Sequence, residues 1–274
     1  MRPSRNYTYT EMTDSISAAK LAIYIILLQP ALYCLFKHGK TGFIGWLYVQ
    51  IFCVLRIATG GIGLKGSSST GAIIVSSIGL SPLLLAASGI LHEARRATNP
   101  RLNRRLDTIL EIKFHGLVAA AMALIIVAVT GSHDKGSVSS NKTLITVASA
   151  LMALAWSLLL IWALWSLGKS QASPSSKRIP SFHGGRVLLY VVFVALPLLA
   201  LRLGYAIAYL QTKLSNPESG FLTSKAVDVC LGMVPEILVT IIFLFVGIKT
   251  RSLKHEIAKL DYSRPADEGY EIRR

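Results

Sequence analysis

Hydrophobic positions along this chain fall in long unbroken blocks, and charged positions fall between them. Seven blocks, near 15–36, 42–64, 70–91, 110–130, 143–167, 187–210 and 226–248, each exceed the ~18 apolar residues that span a bilayer's hydrocarbon core. Each block is expected to be a helix, because a lone strand facing lipid would leave its backbone groups unpaired. The pattern therefore predicts an all-α, multi-pass membrane bundle of seven transmembrane helices. It divides into a polar N-terminal stretch (1–14), a membrane domain (15–248) and a tail (249–274). The first block follows a mixed-charge stretch with Arg2, Arg5, Glu11 and Asp14 and is long for a signal-peptide core, so it reads as a retained helix.

Composition agrees: the 274 residues are 52% hydrophobic with mean hydropathy +0.52. The net charge of +15 could point to nucleic acid, but its distribution points to membrane orientation instead. The connections at 37–41, 92–109 and 168–186 and the tail after 248 hold 18 Lys and Arg, against 7 in the N-terminus and the other three connections. The positive-inside rule places the first set in the cytoplasm, the N-terminus outside and the C-terminus inside. Asn6-Tyr7-Thr8 and Asn141-Lys142-Thr143 fit the N-glycosylation pattern, and both fall on the expected outer side. The partners this implies are the bilayer itself and anionic lipids at the basic cytoplasmic loops, not nucleic acid. The Arg-rich stretch HEARRATNPRLNRR, 92–105, reads as a topology signal resting on headgroups or as a docking surface for a cytoplasmic protein. In the tail, Leu253, Ile257 and Leu260 have the spacing of a short amphipathic helix on the inner interface. Cys34, Cys53 and Cys230 lie within apolar blocks, with no disulfide or metal spacing, and read as buried packing residues.

Charges inside the blocks carry the functional question. An ionisable group near the bilayer centre costs about 2.5–3.5 kcal/mol on insertion scales, so it is turned inward and paired. Arg56, Arg202 and Glu236 come from the second, sixth and seventh blocks and fall at similar depth, Arg56 roughly 21 Å from the inner end of its helix. Helical spacing sets Val49, Cys53, Arg56, Gly60 and Gly63 on one stripe. Leu198, Arg202, Tyr205 and Tyr209 form a second, and Asp228, Gly232, Glu236 and Thr240 a third. Two readings follow. An Arg–Glu pair can pin helix register. Alternatively, a cavity opening outward, lined by Tyr205 and Tyr209, leaves an arginine free for an unknown small ligand, for which its planar fork suits carboxylate or phosphate. Two arginines and one carboxylate leave the centre net positive unless Asp228 also reaches in. Pro30, Pro82, Pro197 and Pro235 are expected to kink the first, third, sixth and seventh helices. The order Arg helix, then G-x-x-P helix, occurs twice, around Arg56 with Gly79–Pro82 and around Arg202 with Gly232–Pro235. That is compatible with two parallel three-helix repeats, as in some transporters.

KHGKTGFIGWLYVQIFCVLRIATGGIGL and IGLSPLLLAASGILHEARR resemble the signature of a family of fungal seven-helix membrane proteins, a domain of unknown function. The resemblance spans the seven blocks and is carried by Gly45-Trp46, the Arg56 stretch and GLSPLLL. It implies an integral membrane protein and supplies no activity. Other seven-helix families fit less well: Lys225 lies at the outer edge of the last block, not deep in it as a retinal-binding lysine would. Glu93-Ala94-Arg95 stands where a typical G-protein-coupled receptor has Asp-Arg-Tyr. No enzyme, metal or cofactor is expected, since the six histidines are scattered near membrane edges and the Glu111–His115 spacing reads as a local ion pair. The leading expectation is a receptor-like sensor with an outward-facing polar pocket; the alternatives are a small-solute or lipid transporter and a structural scaffold.

Overall fold

A computed structural model of the chain describes residues 5–64, 80–99, 102–130, 138–172, 181–215, 219–253 and 255–256. Its regular elements are helices, with no strand among the described residues: α1 (Arg5–Leu64), α2 (Ser81–Thr98), α3 (Arg104–Thr130), α4 (Val138–Ala172) and α5 (Ser181–Ser215). A one-turn helix, Gly220–Thr223, precedes the last long element, α6 (Lys225–Lys249). α6 passes through a π-helical turn at Asp228–Met233 before continuing as a regular helix from Val234.

Six stretches are long and apolar enough to cross a membrane: Ser15–Gly39 and Gly42–Leu64 within α1, all of α3, Asn141–Lys169 in α4, Ser181–Lys213 in α5, and α6. The two halves of α1 meet at Gly39, whose φ of 60° and ψ of −156° suit a residue without a Cβ. α1 starts at Arg5, well inside the stretch 1–14 that the pattern left as a polar leader. The expected third block, 70–91, is described only from Leu80 onward. There α2 begins at Ser81 with Pro82 in its first turn, where the missing N–H has no intrahelical partner to lose, so Pro82 opens the described helix and does not kink it. α2 also runs on to Thr98, because His92, Glu93 and Ala94 find buried positions in the bundle.

α2 is the axis of the molecule. All of its residues are buried except Arg95 and Arg96 in the last turn. Both halves of α1, α3 and α5 pack around it. Small residues allow this closeness: a Cβ on Gly45 would lie 2.8 Å from the Gly89 carbonyl carbon, and one on Gly89 would lie 2.5 Å from Gly45 Cα. Where α2 ends, a Cβ on Gly185 of α5 would lie 2.6 Å from Ala97 Cβ, and Ser181 donates a hydrogen bond to the Ala97 carbonyl at 2.9 Å. Membrane helices associate through such small-residue contacts, because lipid provides no hydrophobic drive between them. The outer surface is apolar, with Ile26, Phe36 and Phe245 about as exposed as polar side chains are on water-facing proteins (69%, 72% and 67%). Buried charge inside and exposed hydrocarbon outside is the pattern of a multi-pass membrane protein.

Two further expectations change. Cys34 and Cys53 are buried, but Cys230 is exposed on the bundle surface, two residues from both Asp228 and Gly232 and so on the opposite face from their inward stripe. Leu253 is buried against Gly184 of α5, so it closes the bundle and does not lie on an interface; Ile257 and Leu260 fall outside the described residues.

The Gly45–Gly89 contact yields a direct test. Gly89→Ala is expected to destabilise by about 1–3 kcal/mol, the usual overpacking cost, since the obstructing atoms are backbone. Gly61→Ala, where an added Cβ meets nothing within 4 Å, serves as the control. Melting temperature in detergent measures both; equal values for the two variants would show that the backbones are not in contact.

Candidate functional site

Two polar layers lie inside the bundle, one toward Leu64 and the other toward the Gly39 turn. The first assembles three charges carried by apolar segments. Arg56 sits in the second half of α1, Arg202 in α5 and Glu236 in α6, and they are 7%, 7% and 4% exposed. Glu236 Oε1 accepts from Arg56 Nη2 and also from Arg202 Nε at 2.6 Å. The ring of Phe52 lies 5.2 Å below the Arg56 guanidinium, and that of Tyr205 lies 5.5 Å from the Arg202 guanidinium. These ring faces add cation–π stabilisation where water is excluded. Thr240, one turn along α6, donates to the Glu236 carbonyl at 2.7 Å.

A second tier lies beyond this triad, nearer the end of the bundle. Lys20 of α1 pairs with Asp228 Oδ2 at 3.1 Å, and Tyr205 donates to Asp228 Oδ1 at 3.3 Å. This tier is more exposed, with the Lys20 and Asp228 side chains 26% and 47% exposed. Tyr209 and Phe221 stand beside Tyr205 at ring-centroid distances of 6.0 and 5.9 Å. Asp228 opens the π-helical turn that precedes Glu236; such turns recur at functional sites. Together Lys20, Arg56 and Arg202 face Glu236 and Asp228, so the layer carries one net positive charge.

Two buried polar atoms near the triad have no hydrogen-bond partner among the described residues: Arg56 Nε and the hydroxyl of Tyr24. Tyr24 is 1% exposed, packs edge-on to Phe52 at 5.5 Å, and lies within electrostatic reach of Glu236, Arg56 and Arg202. A buried hydroxyl left unsatisfied costs about 1–3 kcal/mol, so its retention here calls for a reason.

The layer toward Gly39 has different chemistry. His38, Trp46 and Glu93 are wholly buried. His38 Nδ1 and Glu93 Oε1 are 2.7 Å apart, Trp46 donates to Glu93 Oε2 at 3.1 Å, and His38 Nε2 meets the Gly247 carbonyl at 2.8 Å. With one imidazole nitrogen facing a carbonyl and the other a carboxylate, both act as donors when the ring is charged. One network thus ties both halves of α1 to α2 and α6. Alongside it, Asp107 of α3 lies 2.6 Å from His92 and 2.8 Å from Arg95, and the Arg95 guanidinium stacks on Trp162 at 4.7 Å. Glu111 accepts from Ser88 at 2.9 Å, while His115 Nδ1 meets the Glu111 carbonyl oxygen at 2.7 Å and its carboxylate only at 3.6 Å. The stretch 92–105 therefore begins as part of the bundle core, not as a loop lying on headgroups.

The structure brings Arg56, Arg202 and Glu236 together, and joins Tyr205 and Asp228 to them, with Tyr209 alongside. Lys20 was missed, although a lone lysine near the start of an apolar block was a visible signal. His38, Trp46 and Glu93 were missed because they stand at block edges, where charge and aromatic residues are ordinary interface features. Pro30 and Pro197 lie inside continuous helices, while Pro235 occupies the first regular turn after the π-helical stretch. Asn141 lies near the start of α4 with its side chain 5% exposed, unlike the open position that a sugar-bearing asparagine needs; the side chain of Asn6 falls outside those described. No group of three or more metal-ligating residues occurs among the described residues.

A buried ion-pair cluster inside a bundle of six helices long and apolar enough to cross a membrane marks an integral, multi-pass membrane protein. The family model described as "Domain of unknown function (DUF7702)" matches residues 10–253, and the chain belongs to that family. No curated protein and no solved structure matches the chain.

The sharing of one carboxylate oxygen by two guanidinium groups predicts an asymmetric mutational response. Glu236→Gln strands both arginines and is expected to cost about 3–5 kcal/mol, the range for breaking a buried pair. Arg56→Met leaves Arg202 paired and should cost clearly less. Lys20→Met, at the half-exposed tier, should cost about 0–1 kcal/mol. Thermal melts of the purified variants check this order; an Arg56→Met loss as large as that of Glu236→Gln would refute the shared-carboxylate arrangement.

Proposed function

We propose that this protein crosses the membrane seven times, N-terminus outside and C-terminus in the cytoplasm, and acts as a receptor-like sensor of a small anion. The seventh crossing is the segment containing α2, buried by the other six. The orientation follows from the excess of Lys and Arg in the connections on the Gly39 side. It puts the Lys20–Asp228–Tyr205 tier and the Arg56–Glu236–Arg202 triad in the outer half.

The observation that carries the sensing role is the residual positive charge beside the unpartnered Arg56 Nε and Tyr24 hydroxyl. A carboxylate or phosphate entering past Asp228 would neutralise that charge and answer both donors. Arginine suits the task because its planar fork binds such groups in two places and it stays ionised when buried. Below the triad, Val49, Phe52, Leu83 and Phe243 are wholly buried, which favours a pocket closed toward the cytoplasm over a continuous transport path. Transport through parallel three-helix repeats and a purely structural scaffold are the alternative readings. No catalytic role, cofactor or metal enters the proposal.

Topology is checked with single cysteines introduced at Ser4 and Ser263 in a background whose Cys34, Cys53 and Cys230 are replaced by Ala. Ser4→Cys should react with an impermeant maleimide on intact cells, and Ser263→Cys only after permeabilisation; the reverse order would overturn the orientation. For the ligand, purified protein is screened by thermal shift against small carboxylates and phosphates. A ligand at one hundred times its Kd should stabilise by about 2.7 kcal/mol. Tyr24→Phe should fold normally and bind the hit more weakly. If no anion stabilises the protein, the sensor reading falls and the scaffold reading stands; uptake of the hit into proteoliposomes would assign transport instead.

A further inference from the structure

A groove of about 620 Å³ lies between the end of α2, the first half of α3 and the last half of α4, at the Gly39 end of the bundle and remote from the triad. Its walls are mostly hydrocarbon, with Thr98, Asn99, Asn103 and Ser166 as uncharged polar lining. Leu106 and Leu110 of α3 face Leu158, Ile161 and Trp165 of α4, and all five are 43–63% exposed, so the groove opens sideways where the bundle surface is apolar. Its volume falls within the ~300–1,000 Å³ of sites that hold a discrete ligand.

The charged groups of the lining are unbalanced. Arg95 is answered by Asp107. Lys113 and Lys169 also line the groove, both exposed, and neither has an anionic partner among the described residues; Lys169 rests over the Trp165 ring at 4.6 Å. Two unanswered ammonium groups on a mostly apolar, laterally open groove ask for an occupant with negative charge at one end and hydrocarbon along its length. A soluble phosphate would satisfy the lysines and leave the walls bare. A neutral lipid or a detergent tail would satisfy the walls and leave the lysines bare.

We infer that this groove holds an anionic phospholipid, its headgroup phosphate at the level of Trp165 between Lys169 and the ammonium of Lys113, and one acyl chain running on past Ile161 and Leu158 to Leu117. A lysine stem lies comfortably against apolar side chains while its ammonium reaches the phosphate level. Trp165 sets that level, since indole rings favour the boundary between headgroups and hydrocarbon. The inference is independent of the proposed outer pocket: it needs only a bilayer around the apolar surface. It differs from a general attraction of basic loops to anionic membranes in naming one groove with a defined chain path.

Native mass spectrometry of the detergent-solubilised protein, titrated with dioleoyl phosphatidylserine or dioleoyl phosphatidylcholine, tests it. The serine lipid should remain bound at one copy and raise the melting temperature, while the choline lipid should not. Lys113→Gln with Lys169→Gln, both at exposed positions, should fold normally and weaken the serine lipid about tenfold or more. Leu158→Trp, which fills the chain path without changing charge, should weaken it as well. Lys37→Gln with Lys249→Gln, exposed lysines at the same end but outside the groove, should leave affinity unchanged. Equal retention of both lipids, unaltered affinity in the groove variants, or an equal loss in the Lys37 and Lys249 control would overturn the inference. Displacement by soluble glycerol phosphate at the affinity of the lipid would overturn it too, since the site would then recognise phosphate alone.

Discussion

The Glu236 carboxylate, shared by Arg56 and Arg202, is the interaction on which the half of the bundle toward Leu64 depends. Neither arginine can shed its charge, and neither could remain in an apolar segment without an acceptor. Each therefore dictates that its helix reach α6 at the height of Glu236. The second half of α1, α5 and α6 are fixed in rotation and depth by that single requirement. Every other contact in this half, including the Phe52 and Tyr205 faces against the guanidinium groups, is compatible with the geometry it sets.

At the opposite end the same physics works with other groups. Glu93, His38, Trp46 and the Gly247 carbonyl satisfy one another in a dry site and bind both halves of α1 to α2 and α6. The two ends differ in access to water. The His38–Glu93 pair is wholly buried and fully answered, whereas the tier at Lys20 and Asp228 is partly open and retains excess positive charge. A closed network beneath an open one is the layout expected of a protein that accepts a ligand from one side, and it underlies the proposed sensing role.

α2 makes both layers reachable. It is short, buried almost throughout, and held so closely that Gly45 and Gly89 bring backbone against backbone. It contributes Ser88, His92, Glu93 and Arg95 to the polar groups at the Gly39 end. A helix in this position cannot rotate without breaking ion pairs on several neighbours at once, so its orientation is set as firmly by charge as by packing.

Much of this could be read from the order of residues. Apolar blocks long enough for a bilayer, the Arg56–Arg202–Glu236 set and the inward stripes were visible because a charge inside hydrocarbon has few permitted orientations. Other features needed three dimensions. Glu93 and His38 look like interface residues until the Gly39 turn folds the second half of α1 back and delivers Trp46 to the same carboxylate. Pro82 looks like a kink until it is seen in the first turn of the described helix. Cys230 looks like a buried packing residue in an apolar block, but it stands on the face opposite the Asp228–Glu236 stripe and is exposed. Periodicity and hydropathy are local properties, which chain order alone determines; which charge answers which, and which positions stay covered, depends on distances between helices far apart in the chain, and only their packing decides those.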